Sequence, residues 1–376
     1  MEALSSTGEV PVFPDCRILA IDVGAGTQDV LVFDPSRSIE NCIQLVLPSP
    51  SVIAARRLAR ARLAGRPALL AGNTMGGGAV SGAVQRHLKE GLAVYATPLA
   101  ARTLHNDLAV VRSMGVDVVE DESSAPPAAV RIEVRDVDLK YHGAILEGSL
   151  EELPEKVAVA VQDHGEAPPG MSNRAFRFEE WERFIKEKDG RLEEVLYFKA
   201  PAHLPRMAAV ERDVPGVILM DTGASAIWGA LCDPVVARAA RDGALVLNIG
   251  NGHTLGALVK SNRILGLFEH HTSMMTAERL GDHVESLRRG ELRCAEVFSG
   301  GGHGAFISPE YRPKRGGFEL VAVTGPNRRL AEPLPYYLAV PCGDMMLSGC
   351  FGLLAGIAAR SQKSVSSPPI PSLGGA

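Results

Sequence analysis

The sequence predicts a two-domain α/β fold built from two duplicated halves. Three observations predict it. Short apolar runs alternate with longer helix-like segments, one strand–turn–strand pattern occurs twice, and 376 residues with 46% hydrophobic content are enough for two cores. "RILAIDVG", "QDVLVFD" and "CIQLVLP" read as three opening strands, followed by a helix over 51–64. Strands "PALLAG" and "LAVYATP" alternate with helices over 79–90 and 99–114, and "EDESSAPPAAV" (120–130) reads as a loop. Strand "VAVAVQD" leads through a longer loop (164–173) to a helix over 178–188, strands "EVLYFKA" and "GVILMD", and a helix over 223–241. The second half repeats the opening with "ALVLNIG", "GALVKS" and "RILGLFE". A helix over 273–289, strands "FELVAVTG" and "YYLAVP", and a helix over 343–360 complete it. The ends, 1–16 and 361–376, are rich in Ser, Pro and Gly and are expected to be disordered.

The repeated pattern carries the functional reading. In "ILAIDVGAGTQDVLVFD" the glycines are followed by a strand, not a helix, and no third glycine appears, so this is not a dinucleotide fingerprint. No GK[ST] occurs, so it is not a P-loop either. It reads as a β-hairpin whose turn brings backbone N–H groups close to an anion, with Asp22 placed to hold a hydrated metal ion. "LVLNIGNGHTLGALV" has the same grammar: Asn248, Gly250 and Gly252 align with Asp22, Gly24 and Gly26.

Composition narrows the classes. A formal charge of −5 and a pI near 6.1 argue against nucleic acid as the main partner. Arg56, Arg57, Arg60, Arg62 and Arg66 read as a solvated helix face. The six cysteines (Cys16, Cys42, Cys232, Cys294, Cys342, Cys350) are scattered, with no CxxC or CxxxCxxC. No signal peptide or membrane-length apolar run appears, so the sequence reads as cytoplasmic with no membrane partner.

Five segments, in order, resemble those of the actin, sugar-kinase and heat-shock-chaperone ATPase superfamily. "IDVGAGTQDVLVF" is similar to its first phosphate loop, "MDTGASAIWGAL" to its first interdomain helix, and "LNIGNGHTLGALV" to its second phosphate loop. "LVAVTGPNRRL" is similar to its adenosine segment and "GDMMLSGCFGLLAG" to its second interdomain helix. The resemblance implies a duplicated actin-like (ribonuclease-H-like) fold with an interdomain nucleotide cleft. It implies domains over 17–222 and 223–342, with 343–360 returning to the first, and ATP with Mg²⁺ as cofactors. By the same resemblance Asp22 orients the metal through water, Thr27 and Gln28 face the γ-phosphate, and Gly250, Asn251 and Gly252 cradle the other phosphates. Gly325, Pro326 and Asn327 line the adenosine site. Asp221, placed where hexokinase-type kinases carry their catalytic aspartate, is a general-base candidate; Asp before "TGASAIWGAL" also suits a helix N-cap, and the two roles are compatible. Asn248 departs from the acid that many members carry in the second loop.

More narrowly, "DVGAGTQD", "DTGASAIWGAL", "NIGNGHT" and "SGGGHGAF" resemble a prokaryotic family of domains of unknown function, often labelled as activating enzymes of pyruvate formate-lyase. That label implies a CxxxCxxC iron–sulfur cluster, and this chain has no such triplet. Three classes fit the superfamily resemblance: a kinase for a small hydroxylated substrate, favoured by Asp221; an ATPase switch acting on a protein partner; and a non-catalytic nucleotide binder, motivated by Asn248. The glycine-rich run 72–88 could bind an anion at a helix start or be a surface loop. Asn173 and Arg174 fall where related kinases bind substrate. The ten histidines show no HxxxH pair, and His253, His270, His271 and His303 are not expected to form a metal site.

Overall fold

The computed structural model describes residues 12–366 apart from 150, 169 and 314–316. The expectation of disordered ends therefore falls outside the described residues for 1–11 and 367–376. The chain opens with strands β1 (Ile18–Val23), β2 (Thr27–Phe33) and β3 (Ile43–Pro48), then helix α1 (Pro50–Leu63), whose start is fixed by the Ser49 cap and Pro50. An inserted layer follows: β4 (Ala68–Gly72), α2 (Gly78–Lys89), β5 (Val94–Ala96), α3 (Pro98–Ala101), α4 (Leu108–Ser113), β6 (Val116–Val118), β7 (Val130–Val134) and α5 (Leu139–Glu147). The chain returns through β8 (Lys156–Val161), α6 (Asn173–Glu187), β9 (Leu196–Tyr197), α7 (Pro205–Asp213), β10 (Ile218–Met220), α8 (Thr222–Ala230) and α9 (Pro234–Ala240). The second half comprises β11 (Ala244–Ile249), β12 (His253–Lys260), β13 (Arg263–His271), α10 (Ala277–Arg288), α11 (Cys294–Ser299), β14 (Gly304–Ile307), β15 (Val321–Thr324), β16 (Tyr337–Leu338) and α12 (Ser348–Ser366).

Two six-stranded sheets, ordered β3-β2-β1-β8-β10-β9 and β14-β13-β12-β11-β15-β16, repeat one plan. In each, an antiparallel three-strand meander is extended by a parallel strand against its first member. Asp22 and Asn248 occupy the same ladder position, opposite Asp29 and Leu255. β1 is buried throughout because strands flank it and helices cover its faces, which explains the apolar run over 18–21. A third, parallel sheet, β6-β5-β4-β7, sits on its own core of α1, α2 and α3 residues.

One core joins the two large sheets, with α6, α8 and α12 between them. Helices α8 and α12 cross at backbone contact. A Cβ on Gly229 would lie 1.7 Å from the Ser348 carbonyl oxygen, and one on Gly352 would lie 1.9 Å from that of Ser225. The small residues read as interdomain-helix signatures are required by this crossing.

Several expected elements are corrected. The helix over 99–114 is two, because Asp107 caps a new start; the helix over 223–241 is two, because Asp233 and Pro234 restart it. α12 begins at Ser348 and continues to Ser366, so 361–366, expected to be disordered, extend that helix. Gly304–Ile307, not expected as a strand, pair with β13. Among the described residues no helix is long and apolar enough to cross a membrane.

Candidate functional site

The two hairpin turns are closed by the same bond. Gly24 N–H donates to the Thr27 carbonyl at 2.9 Å, and Gly250 N–H donates to the His253 carbonyl at 2.9 Å. The turns also touch: a Cβ on Gly26 would lie 2.6 Å from Asn251 Nδ2, and one on Gly252 would lie 3.3 Å from Ala25 Cβ. Glycine at both positions is what permits that approach. The turns wall one end of a cleft of about 410 Å³, within the range of small-molecule sites. Its other walls are the Thr74–Gly78 loop, the 102–106 segment and the 162–165 loop.

Gly24, Asn248, Gly250, Asn251 and Gly252 line this cleft, together with Asn173 and Arg174. Thr27 lies at the start of β2 beside Asp29, which its hydroxyl approaches. Gln28 is corrected: it is buried, its Nε2 donating to the Pro48 carbonyl and its Oε1 meeting His142 Nε2, so it faces the first sheet's periphery and not a phosphate. Gly325, Pro326 and Asn327 are not cleft walls. They brace the second turn from behind, Asn327 N–H donating to the Ile249 carbonyl at 3.0 Å and Asn327 Nδ2 to that of Gly250 at 3.0 Å.

Asp22 lies behind the cleft wall, where Thr222 Oγ1 donates to its Oδ1 at 2.5 Å. A Cβ on Gly349 would sit 2.0 Å from Asp22 Oδ2, so α12 closes over the carboxylate. Burial raises Asp22 to about 7, opposed by the Thr222 hydrogen bond and reinforced by Asp221. Its ladder partner Asp29 is raised to about 8, by burial first and by Asp22 second. The two carboxylates thus discourage each other's ionisation.

Asp221 shows the cap role: Oδ1 accepts from Gly223 N–H at 2.9 Å. Its remaining capacity goes to Arg177, whose Nη1 donates to Oδ2 at 2.8 Å. Arg177 also grips Glu269 through Nε (2.8 Å) and Nη2 (3.0 Å), and Gln162 Nε2 completes that carboxylate at 2.7 Å. This buried network ties α6 and α8 to β13 of the second half. The other two carboxylates of the cleft wall are also committed. Asp136 is paired with Arg206, and Asp163 accepts from the N–H groups of Gly165, Arg206 and Met207.

The sequence has no HxxxH pair, yet three histidines gather in space. His164 from the loop after β8, His253 from the start of β12 and His303 before β14 converge beside the cleft, with one ring nitrogen of each within 4.8 Å of the others. No sequence spacing could show this, since the three come from separate strand ends. Arg177, Glu269 and Asp163, too, were recognisable only once the chain folded.

Strand order, matched ladders and paired turns define a duplicated actin-like ATPase fold with its cleft between the halves. The chain belongs to the family described as "Putative pyruvate format-lyase activating enzyme (DUF1786)", whose model matches residues 75–330. No curated protein matches it. Among solved structures it is similar to the ethanolamine utilization protein EutJ from Carboxydothermus hydrogenoformans, 12% identical over 93% of each chain, TM-score 0.30. It is also similar to a chain of the PilM–PilN type IV pilus biogenesis complex, 15% identical over 92% of this chain and 99% of that one, TM-score 0.35. MreB 5 of Spiroplasma citri bound to AMPPNP is 12% identical over 94% and 98%, TM-score 0.32. At those TM-scores the fold assignment rests on the topology above. As for the family's description, no three cysteines gather into a ligand set among the described residues.

Proposed function

We propose that the cleft binds the phosphates of ATP with Mg²⁺ and that the protein is an ATPase whose closing and opening act on a partner. The observation that carries this reading is the pair of identically closed glycine turns walling one cleft from opposite halves. Their backbone N–H groups suit an anion, and a cleft of this size suits a nucleotide. Residues 17–222 and 223–342 are the two bodies that would close, with α12 returning to the first. Mg²⁺, held through water by Asp22, would supply charge stabilisation on the phosphates. Asp22 would ionise as the ion enters, since a nearby cation favours the charged form. Arg177 would couple phosphate occupancy to domain position, because its carboxylate partners lie one in each half.

Hydrolysis fits better than transfer to a hydroxyl. Every carboxylate of the described cleft wall is already held by a cation or by several N–H donors, and Asp221 is held by Arg177. A small-molecule kinase is the second reading, favoured by the cleft's extension into the first half past Gly76, Gly77 and Asn106.

The test is calorimetric titration of a slowly hydrolysed ATP analogue with Mg²⁺ into wild type and Gly252→Val, each confirmed folded by thermal melting. Saturable binding weakened at least tenfold by Gly252→Val is expected, since the valine wedges the turns apart. A folded wild type that binds no nucleotide, or a variant that binds as well, overturns the reading.

A further inference from the structure

The three histidines that meet beside the cleft have no role in the nucleotide reading and do not depend on it. His164 Nε2 and His303 Nε2 lie 3.3 Å apart. That separation matches two ligands of one tetrahedral ion, for which metal–nitrogen bonds of about 2.0–2.1 Å place neighbouring nitrogens about 3.3 Å apart. His303 is fully buried, and His253 Nε2 is buried without a hydrogen-bond partner. Orphaned polar atoms in a buried site call for an occupant or carry a cost. The rings pack closely, with centroids 4.8 Å apart for His253 and His303 and 5.4 Å for His164 and His303.

The surrounding charge admits a cation. Arg177 stands nearby, but Glu269 and Asp221 both pair with it, so the fixed charges of that network sum to minus one. His271 packs against His253 and His303. His164 and His253 also line the cleft, so the side of the triad away from His303 opens onto the space where a ligand would lie. Three protein nitrogens with an open fourth position is the arrangement of catalytic, not structural, zinc sites.

We propose that His164, His253 and His303 form a three-histidine site for a divalent first-row transition metal of the zinc type, with its open coordination position facing the cleft. The imidazole donors select such an ion over Mg²⁺, which takes oxygen ligands. The site spans the junction of the halves, His164 from the first and the other two from the second. An ion there would bridge the two halves and present a Lewis acid to an oxyanion in the cleft.

Tag-free full-length protein, stripped with chelator and dialysed, is titrated with Co²⁺ while its visible ligand-field absorption is followed; Zn²⁺ is then added in competition. Wild type is expected to bind one equivalent with the intense absorption of a four-coordinate ion and to release it to Zn²⁺. His303→Ala and the loop variant His164→Gln are expected to weaken binding beyond the roughly 10–100-fold that losing an outer-shell partner costs. His203→Ala, at an exposed pair with Glu180, should bind as wild type does. Melting curves identify any variant that fails to fold, and His164→Gln alone then decides. No stoichiometric Co²⁺ binding by folded wild type, or unchanged binding in folded His164→Gln, overturns the proposal.

Discussion

Replacing Asp22 by asparagine should stabilise the protein, and increasingly so as pH rises. Asp22 is raised from 3.8 to about 7, mainly by burial. Below pH 3.8 both folded and unfolded chains carry the proton and the group is neutral to stability. Between 3.8 and 7 the unfolded chain ionises while the folded one does not, so stability falls. Above 7 the penalty levels off. Linkage over that interval amounts to about 4 kcal/mol at pH 8.5, of which roughly 2–3 kcal/mol develops between pH 5 and pH 8.5. The substituted amide would carry no such penalty and could still accept from Thr222. It would also relieve Asp29, whose ionisation Asp22 opposes. Urea unfolding of wild type and Asp22→Asn at pH 5 and pH 8.5 measures the difference directly. A gap that does not widen with pH, or wild type the more stable at pH 8.5, would refute the argument that Asp22 is buried at a cost. The natural asparagine at the equivalent position, Asn248, indicates that the ladder accommodates the amide.

Two other substitutions probe the scaffold. Arg177→Ala leaves Glu269 and Asp221 buried without their cation, so a loss of about 3–5 kcal/mol is expected by denaturant unfolding at pH 7. That loss should shrink under acid, because Glu269, despite the cost of burial, is held well below the usual carboxylate range by Arg177, and its stabilisation begins to fall below its unfolded value near 4.5 and is lost as pH falls on through the lower folded value. Gly229→Ala places a methyl 1.7 Å from the Ser348 carbonyl, so α8 and α12 must separate. A fall of about 1–3 kcal/mol or more is expected, read as a lower melting temperature, whereas an unchanged one would mean that the helices part freely.

Much of the fold was legible because duplication writes the same local chemistry twice. The turns at Gly24 and Gly250 follow from glycine spacing between apolar runs, and the structure closes both with one bond type. The glycines of α8 and α12 signalled a close crossing because only a missing Cβ permits it. β6, β7 and β14 were missed: each is five residues or fewer and bounded by loop-forming residues, so strand identity there comes from the neighbour it pairs with. Gln28 was misplaced because strand alternation does not say which face meets His142 across 114 positions.

By itself the sequence determined what local stereochemistry controls: where the long apolar strands run, where turns need glycine, where Asp221 starts a helix, and that the halves repeat. Tertiary structure alone decided which distant side chains share a buried space. It buried Asp22 beneath α12, committed Asp221 to Arg177 rather than leaving it free as a base, set Asn327 behind the second turn, and drew His164, His253 and His303 to one point. The physical reason is range. Caps and turns are fixed by bonds within a few residues, whereas desolvation, ion pairing and ligand geometry depend on groups that only sheet order and helix crossing bring within a few ångströms.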